Sequence, residues 1–210
     1  MLKKKLNLGS MESMKDIINS LNEVGFDIVR KPNIYSFGDY EECRKLFESA
    51  FRAVDATVRN FVFLPEYENI VKWMTNTDGK GLFITGKCGL GKSIIIKGVI
   101  PLIFKYKYNI LVRPFSAADI NEREREITQK PFICIDDIGI EPTRNLYGEK
   151  SEVFCNILDN AESKLKPLFV SSNMTSKDVL NRYGDRALDR IVRLCHIVKI
   201  SRSAGSLRPV

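Results

Sequence analysis

Apolar residues recur at helical spacing in two early stretches. Residues 11–24 carry Met14, Ile17, Ile18 and Leu21, and residues 40–54 carry Cys43, Leu46, Phe47, Ala50, Phe51 and Val54. The stretch 25–33, with Gly25 and Pro32, reads as a connector between them. From residue 65 the pattern changes to short apolar runs alternating with amphipathic stretches. It predicts helix 65–76, strand 81–86, helix 92–108, strands 109–115 and 132–138, helix 149–165, strand 167–173, helices 176–183 and 185–194, and strand 196–201. The runs are nearly all apolar, as strands covered on both faces are. The expected architecture is α/β: a parallel sheet between helical layers over residues 65–210, an appended helical segment over 1–64 and a loose tail over 201–209. The appended segment has two open readings, a partner-binding element or helices packed on the core.

At 210 residues and 44% hydrophobic content, one sizeable core is expected. No run of about eighteen apolar residues occurs, and the basic start, Met1 to Leu6, leads into polar sequence rather than an apolar signal core. A soluble, cytoplasmic protein with no membrane partner follows as the expectation. The five cysteines, Cys43, Cys88, Cys134, Cys155 and Cys195, are widely spaced with no C-x-x-C pair, which disfavours a disulfide framework or a zinc site. The net charge of +7 favours polyanionic partners, a class that includes nucleotides as well as nucleic acids. The mixed run Glu122 to Glu126 reads as a solvated helical face.

Candidate chemistry concentrates after strand 81–86. Gly86-Lys87-Cys88-Gly89-Leu90-Gly91-Lys92-Ser93 is a complete G-x-x-x-x-G-K-S between a strand and a helix that opens with Ile94. Glycines let backbone N–H groups curl around phosphate oxygens, the lysine reaches the terminal phosphates, the hydroxyl ligates Mg²⁺ and the helix start favours the anion. ATP with Mg²⁺ is the expected ligand. Cys88 reads either as a small filler or as an accessible thiol.

Strand 132–138 ends in Asp136 and Asp137. Opposite a phosphate loop, the first acid is assigned to Mg²⁺ and the second to the attacking water. Strand 167–173 ends in Asn173, which reaches the terminal phosphate if this strand lies between the other two; otherwise it caps a turn. Glu141 is a further acid, catalytic or on a surface loop. Lys105-Tyr106-Lys107-Tyr108 interleaves bases and aromatics as nucleic-acid contacts do, but lysines also suit a helix C-terminus and the tyrosines can pack inward. His196 reads as structural.

The succession of Gly86 to Ser93, Ile135-Asp136-Asp137-Ile138-Gly139-Ile140-Glu141, Ser171-Ser172-Asn173 and Tyr183-Gly184-Asp185-Arg186-Ala187-Leu188-Asp189-Arg190 resembles the AAA+ ATPases of the DnaC/DnaI helicase-loader and IstB family, over about residues 65–202. The resemblance implies a P-loop, three-layer α/β/α fold with a five-stranded parallel sheet and no C-terminal lid domain. It implies a Walker A lysine at Lys92, Walker B acids at Asp136 and Asp137, a sensor at Asn173 and, at Arg186, an arginine finger that enters a neighbouring subunit. A guanidinium suits the charge spreading over a transferring phosphoryl group, although Arg186 and Arg190 could equally pair with Asp185 and Asp189. The implied partners are a replicative helicase or, as the alternative, a transposase, with single-stranded DNA and a nucleotide-dependent homo-oligomer. Asp137 is one methylene shorter than a glutamate at that place, so the expected hydrolysis is slow or partner-stimulated. A nucleotide-switched binding module with negligible turnover is the remaining alternative.

Overall fold

The computed structural model describes residues 14–25, 31–55, 61–146 and 149–201, so the tail and part of the 25–33 connector lie outside the described residues. By compactness the chain divides into Met1–Lys31 and Pro32–Val210. In the first unit, α1 (Met14–Glu23) corresponds to the helix read over 11–24, with Met14 and Ile17 exposed.

The second unit contains helices α2 (Tyr40–Val54) and α3 (Tyr67–Thr75), strand β1 (Gly81–Gly86) and the phosphate-loop helix. That helix runs without interruption through α4 (Lys92–Ile94), a π-helical turn at Ile95–Val99 and α5 (Ile100–Tyr108). Strand β2 (Pro114–Ser116), α6 (Ile120–Gln129), β3 (Ile133–Ile138), β4 (Arg144–Leu146), β5 (Glu149–Ser151), α7 (Val153–Ser163), β6 (Leu168–Ser172), α8 (Ser176–Tyr183), α9 (Asp185–Leu194) and β7 (Cys195–Ile200) follow. Five strands form one sheet in the order β2-β3-β6-β1-β7, all pairs parallel. Strand β6 therefore lies between the strand before the loop and the acidic strand, the condition on which the reading of Asn173 depends.

Successive strand residues serve opposite layers, as the two-residue repeat of a pleated strand requires. Leu82, Ile84, Cys134 and Phe169 join one buried cluster with α2, α3 and α5, while Phe83, Ile133, Ile135, Leu168 and Val170 join another with α6, α7, α8 and α9. The first layer is strongly aromatic: Phe47, Phe51, Phe61, Phe63 and Tyr67 contact one another with ring centroids 5.1 to 6.4 Å apart.

Compactness and sequence pattern divide the chain at different places. The pattern changes at 65, whereas residues from Pro32 onward already belong to the compact unit. The reason is burial. Phe37, Cys43, Phe47, Ala50 and Phe51 are each at most 4% exposed, and each large apolar side chain buried this way contributes about 1.5–3 kcal/mol. Helix α2 starts at a capping box in which Asp39 accepts from Glu42 N and Glu42 accepts from Asp39 N.

Two other boundaries moved. The run read as strand 109–115 pairs only from Pro114, because Asn109 ends α5 in the left-handed region (φ 56°) and Ile110 N then bonds back to Phe104 O. The helix read over 149–165 starts at Val153, since Glu149–Ser151 pairs antiparallel with Arg144–Leu146. The mixed run 122–126 lies in α6 with Glu122 and Arg125 exposed and Arg123, Glu124 and Glu126 half-buried.

Candidate functional site

At the C-terminal ends of β1, β6 and β3, one hydrogen-bonded chain links the loop to both acids. Lys92 Nζ donates to Gly86 O, Lys87 O and Asn173 Oδ1, each at 2.8 Å. Asn173 Nδ2 donates to Asp137 Oδ1 at 2.7 Å. Asp137 N donates to Ser171 Oγ at 2.8 Å, and Ser171 Oγ donates to Asp136 Oδ1 at 2.5 Å. Lys92, Asp136, Asp137 and Asn173, picked out far apart in the sequence, are thus brought together.

The backbone explains how each group arrives. Gly91 sits at φ 80° immediately before the helix, a left-handed conformation that suits glycine. The β3–β6 register shifts between Ile135 and Ile138, so Asp136 and Asp137 occupy an irregularity rather than a regular ladder. Such irregularities re-aim side chains at strand ends. Asp137 itself adopts φ 67°.

Lys92 is only 6% exposed, yet its three hydrogen-bond partners are neutral. Burial pushes its ammonium below the ordinary lysine value, opposed in part by the nearby carboxylates of Asp137 and Asp136. The rest of the loop faces outward: Lys87, Cys88 and Ser93 are exposed, Gly86, Gly89, Gly91 and Ile94 are half-buried, and Leu90 is buried as an anchor. Cys88 Sγ lies 3.6 Å from Asn173 Oδ1. Lys97, four residues after Ser93, comes within 3.7 Å of Asp136 Oδ2, so the helix carrying Ser93 passes beside that carboxylate.

Whether these residues suit a metal–triphosphate can be judged from the donor set. Among the described residues no group of three or more His, Cys, Asp or Glu side chains is arranged to hold a metal. Mg²⁺ does not need one, since it is commonly held by one or two protein oxygens together with substrate phosphates and water. A buried cation with neutral partners, an exposed hydroxyl and a carboxylate at the strand end fit that demand.

Two candidates fall outside the group. Glu141 is neither a surface residue nor part of the Lys92 chain. Its carboxylate is buried, accepts from Gly139 N at 2.8 Å and from the Tyr183 hydroxyl, and pairs with Arg182 at 3.3 Å. Arg186, on α9, has its side chain 75% exposed and lies 3.5 Å from Asp159 rather than beside Asp185 or Asp189. Arg190 is buried and pairs with Asp159 and Glu162.

Ser171 and Arg182 were not singled out from the sequence. A pair of serines closing an otherwise apolar buried strand was the available signal for Ser171; nothing in the pattern marks Arg182. In 105–108, Tyr108 packs inward and exchanges hydrogen bonds with Ser36, Lys105 bonds Asn109, and Tyr106 is 76% exposed. His196 is exposed on β7.

A parallel sheet with one strand between the loop strand and the acidic strand, and a G-x-x-x-x-G-K-S loop after β1, is a P-loop NTPase arrangement. No protein-family model matches the chain. In sequence it is similar to the replicative helicase loader DnaI of Bacillus subtilis, 22% identical over 116 residues, covering 50% of this chain and 37% of that relative. The match thus spans little more than a third of the relative's length. In fold it is similar to a crystal structure of DnaI, with TM-score 0.55 and 18% identity over 75% of this chain and 93% of that one. It is also similar to a putative primosome component from Streptococcus pyogenes serotype M3, with TM-score 0.52 and 19% identity over 76% of this chain and 91% of that one. These likenesses show that the chain shares the α/β fold of DnaI and of the primosome component. No helix among the described residues is long and apolar enough to cross a membrane.

Proposed function

We propose that this chain binds ATP with Mg²⁺ at Gly86–Ile94, hydrolyses it slowly, and uses the nucleotide state to engage a replicative helicase. The observation that carries the reading is Lys92, a buried cation whose hydrogen-bond partners are all neutral, at the mouth of a glycine loop. A buried charge is costly unless paired, and a terminal phosphate is the partner that this loop chemistry suits.

In this reading the backbone N–H groups from Gly86 to Ser93 wrap the phosphates, while Ser93 and Asp136 hold the metal. Bound Mg²⁺ neutralises charge on the phosphate oxygens. Asn173 orients the attacking water and Asp137, bonded to it, takes the proton. Arg186 is exposed enough to reach a second copy, and its guanidinium would meet the charge on the neighbour's phosphoryl group. The helicase partner rests on the likeness to a replicative helicase loader.

The test is a mixing experiment. Arg186→Ala is expected to bind ATP normally but to lose most turnover, and added Lys92→Ala subunits, which keep their arginine, are expected to restore it. Turnover per subunit in the unmutated protein should rise with protein concentration. A co-assembled mixture without rescue removes the shared site. Tight ATP binding without turnover at any concentration, with or without the helicase, leaves a nucleotide-switched binding module.

A further inference from the structure

Helix α8 touches the candidate site at both ends. It begins just after Asn173, at a capping box between Thr175 and Asp178. It ends with Arg182 and Tyr183, which return to the turn that follows Asp137. Arg182 Nη1 donates to Gly139 O and Nη2 to Glu141 O, both at 2.5 Å, and Nη2 also lies 3.3 Å from Glu152. The Glu141 carboxylate closes the arrangement by accepting from Gly139 N and the Tyr183 hydroxyl. The Arg182 and Glu141 side chains therefore hold both polar backbone groups of Gly139 and the carbonyl of Glu141, and the Tyr183 hydroxyl braces the Glu141 carboxylate.

That turn carries backbone strain. Asp137 is a non-glycine residue at φ 67°, a conformation that costs about 1–3 kcal/mol and persists only where the surroundings fix it. Gly139 follows at φ 114°, and a Cβ there would sit 2.6 Å from Met174 Sδ, the residue after Asn173. Ser172 Oγ adds a hydrogen bond to Ile138 O at 2.6 Å. The turn is thus gripped from β6 on one side and from α8 on the other, with Asp137 at its start.

We propose that Arg182, Tyr183 and Glu141 are positioning residues: a buried clamp that fixes the turn after β3 and so holds the Asp137 carboxylate against Asn173. None of the three touches substrate. The proposal rests on the reading of Asp137 as the group that receives the water's proton, and it replaces the catalytic role considered for Glu141.

The test uses the full chain with Tyr183→Phe and Arg182→Lys. Tyr183→Phe removes only a hydroxyl and leaves the ring in place against Phe154, with centroids 5.2 Å apart. Arg182→Lys keeps the charge but cannot span both carbonyls. In each, kcat is expected to fall roughly tenfold or more, because a small misplacement of a reacting group costs up to about a hundredfold. ATP affinity, read with a fluorescent analogue, should stay within about twofold of the unmutated protein, since neither residue belongs to the loop.

A second readout needs no turnover: amide hydrogen exchange at Asp137 and Gly139 in the nucleotide-free protein, expected to accelerate about tenfold or more in Tyr183→Phe as the turn opens locally. Unchanged exchange at both amides overturns the clamp, and so does a lowered melting temperature with kcat unchanged. Faster exchange in a protein whose unmutated form never turns ATP over upholds the clamp and removes the ATPase reading instead.

Discussion

Lys92 and Glu141 are both almost fully buried, at 6% and 3% exposure, within one edge of the same sheet, yet their charges are treated in opposite ways. Glu141 meets a guanidinium, a phenol and a backbone N–H, so its charge is answered inside the fold. Lys92 hydrogen-bonds only two carbonyls and an amide, with Asp137 and Asp136 acting on its charge from further off, beside loop residues of which Lys87, Cys88 and Ser93 are exposed. A matched buried charge is part of the scaffold; an unmatched one next to solvent points to a ligand of opposite sign. Asp137, read as the acid for the attacking water, and Glu141, read as a further acid, separate on the same criterion: Asp137 bonds Asn173 beside Lys92, and Glu141 is enclosed by Arg182 and Tyr183.

The comparison breaks most completely if the aromatic layer on one face of the sheet is taken away. Deleting residues 1–60 removes α2, including Phe47 and Phe51, and should leave no cooperative unfolding transition. Deletion of 1–31 should keep the transition of the full chain, as judged by circular dichroism melts. A stable, cooperative 61–210 fragment would show that α2 is dispensable.

Next in size is Glu141→Ala, which leaves the half-buried Arg182 with only Glu152 of its two acids and leaves the Tyr183 hydroxyl and Gly139 N without their acceptor. The expected loss is about 1–3 kcal/mol in denaturant unfolding, as for buried donors left unsatisfied; a loss under about 0.5 kcal/mol would contradict the closed-cluster description. Asp137→Asn should behave in the opposite way. Stability should change by less than about 1 kcal/mol, Mg-ATP should still bind, and turnover should fall about 10²–10⁴-fold, the usual contribution of a general base. Undiminished turnover would take the water from Asp137.

The smallest effect lies outside both clusters. Partial desolvation of its otherwise exposed ring first, and Lys80 second, hold the His196 pKa below its ordinary value of 6.5. The folded state therefore binds this proton less readily than the unfolded chain. Its contribution is present above pH 6.5 and is lost as pH falls from there through the folded pKa. His196→Asn should flatten that part of the stability–pH curve by a slight amount and leave nucleotide affinity untouched.

Much of this was legible in the sequence. The boundaries of β1, α2, α8 and α9 follow directly from apolar spacing and from stop residues such as Gly184. The G-x-x-x-x-G-K-S loop, Asp136 with Asp137, and Asn173 were likewise visible as strand ends. What periodicity cannot express is which surface covers an apolar face, so the reading of residues 1–64 stayed open between a partner-binding element and helices packed on the core, and α2 closes the aromatic layer. The β4–β5 hairpin escaped because its two three-residue strands are mostly polar and carry no alternation. Glu141 read as either a catalytic acid or a surface-loop acid because its partners, Arg182 and Tyr183, lie some forty residues downstream.

The central claim is that Lys92 awaits a terminal phosphate, and equilibrium binding of ATP to the unmutated chain and to Lys92→Ala, by isothermal titration calorimetry in Mg²⁺, tests it most directly. The account predicts saturable one-to-one binding by the unmutated chain and a loss of at least about tenfold in affinity for Lys92→Ala, with both proteins melting at similar temperatures. Equal affinity in the two, or no binding by a folded unmutated chain, would contradict it.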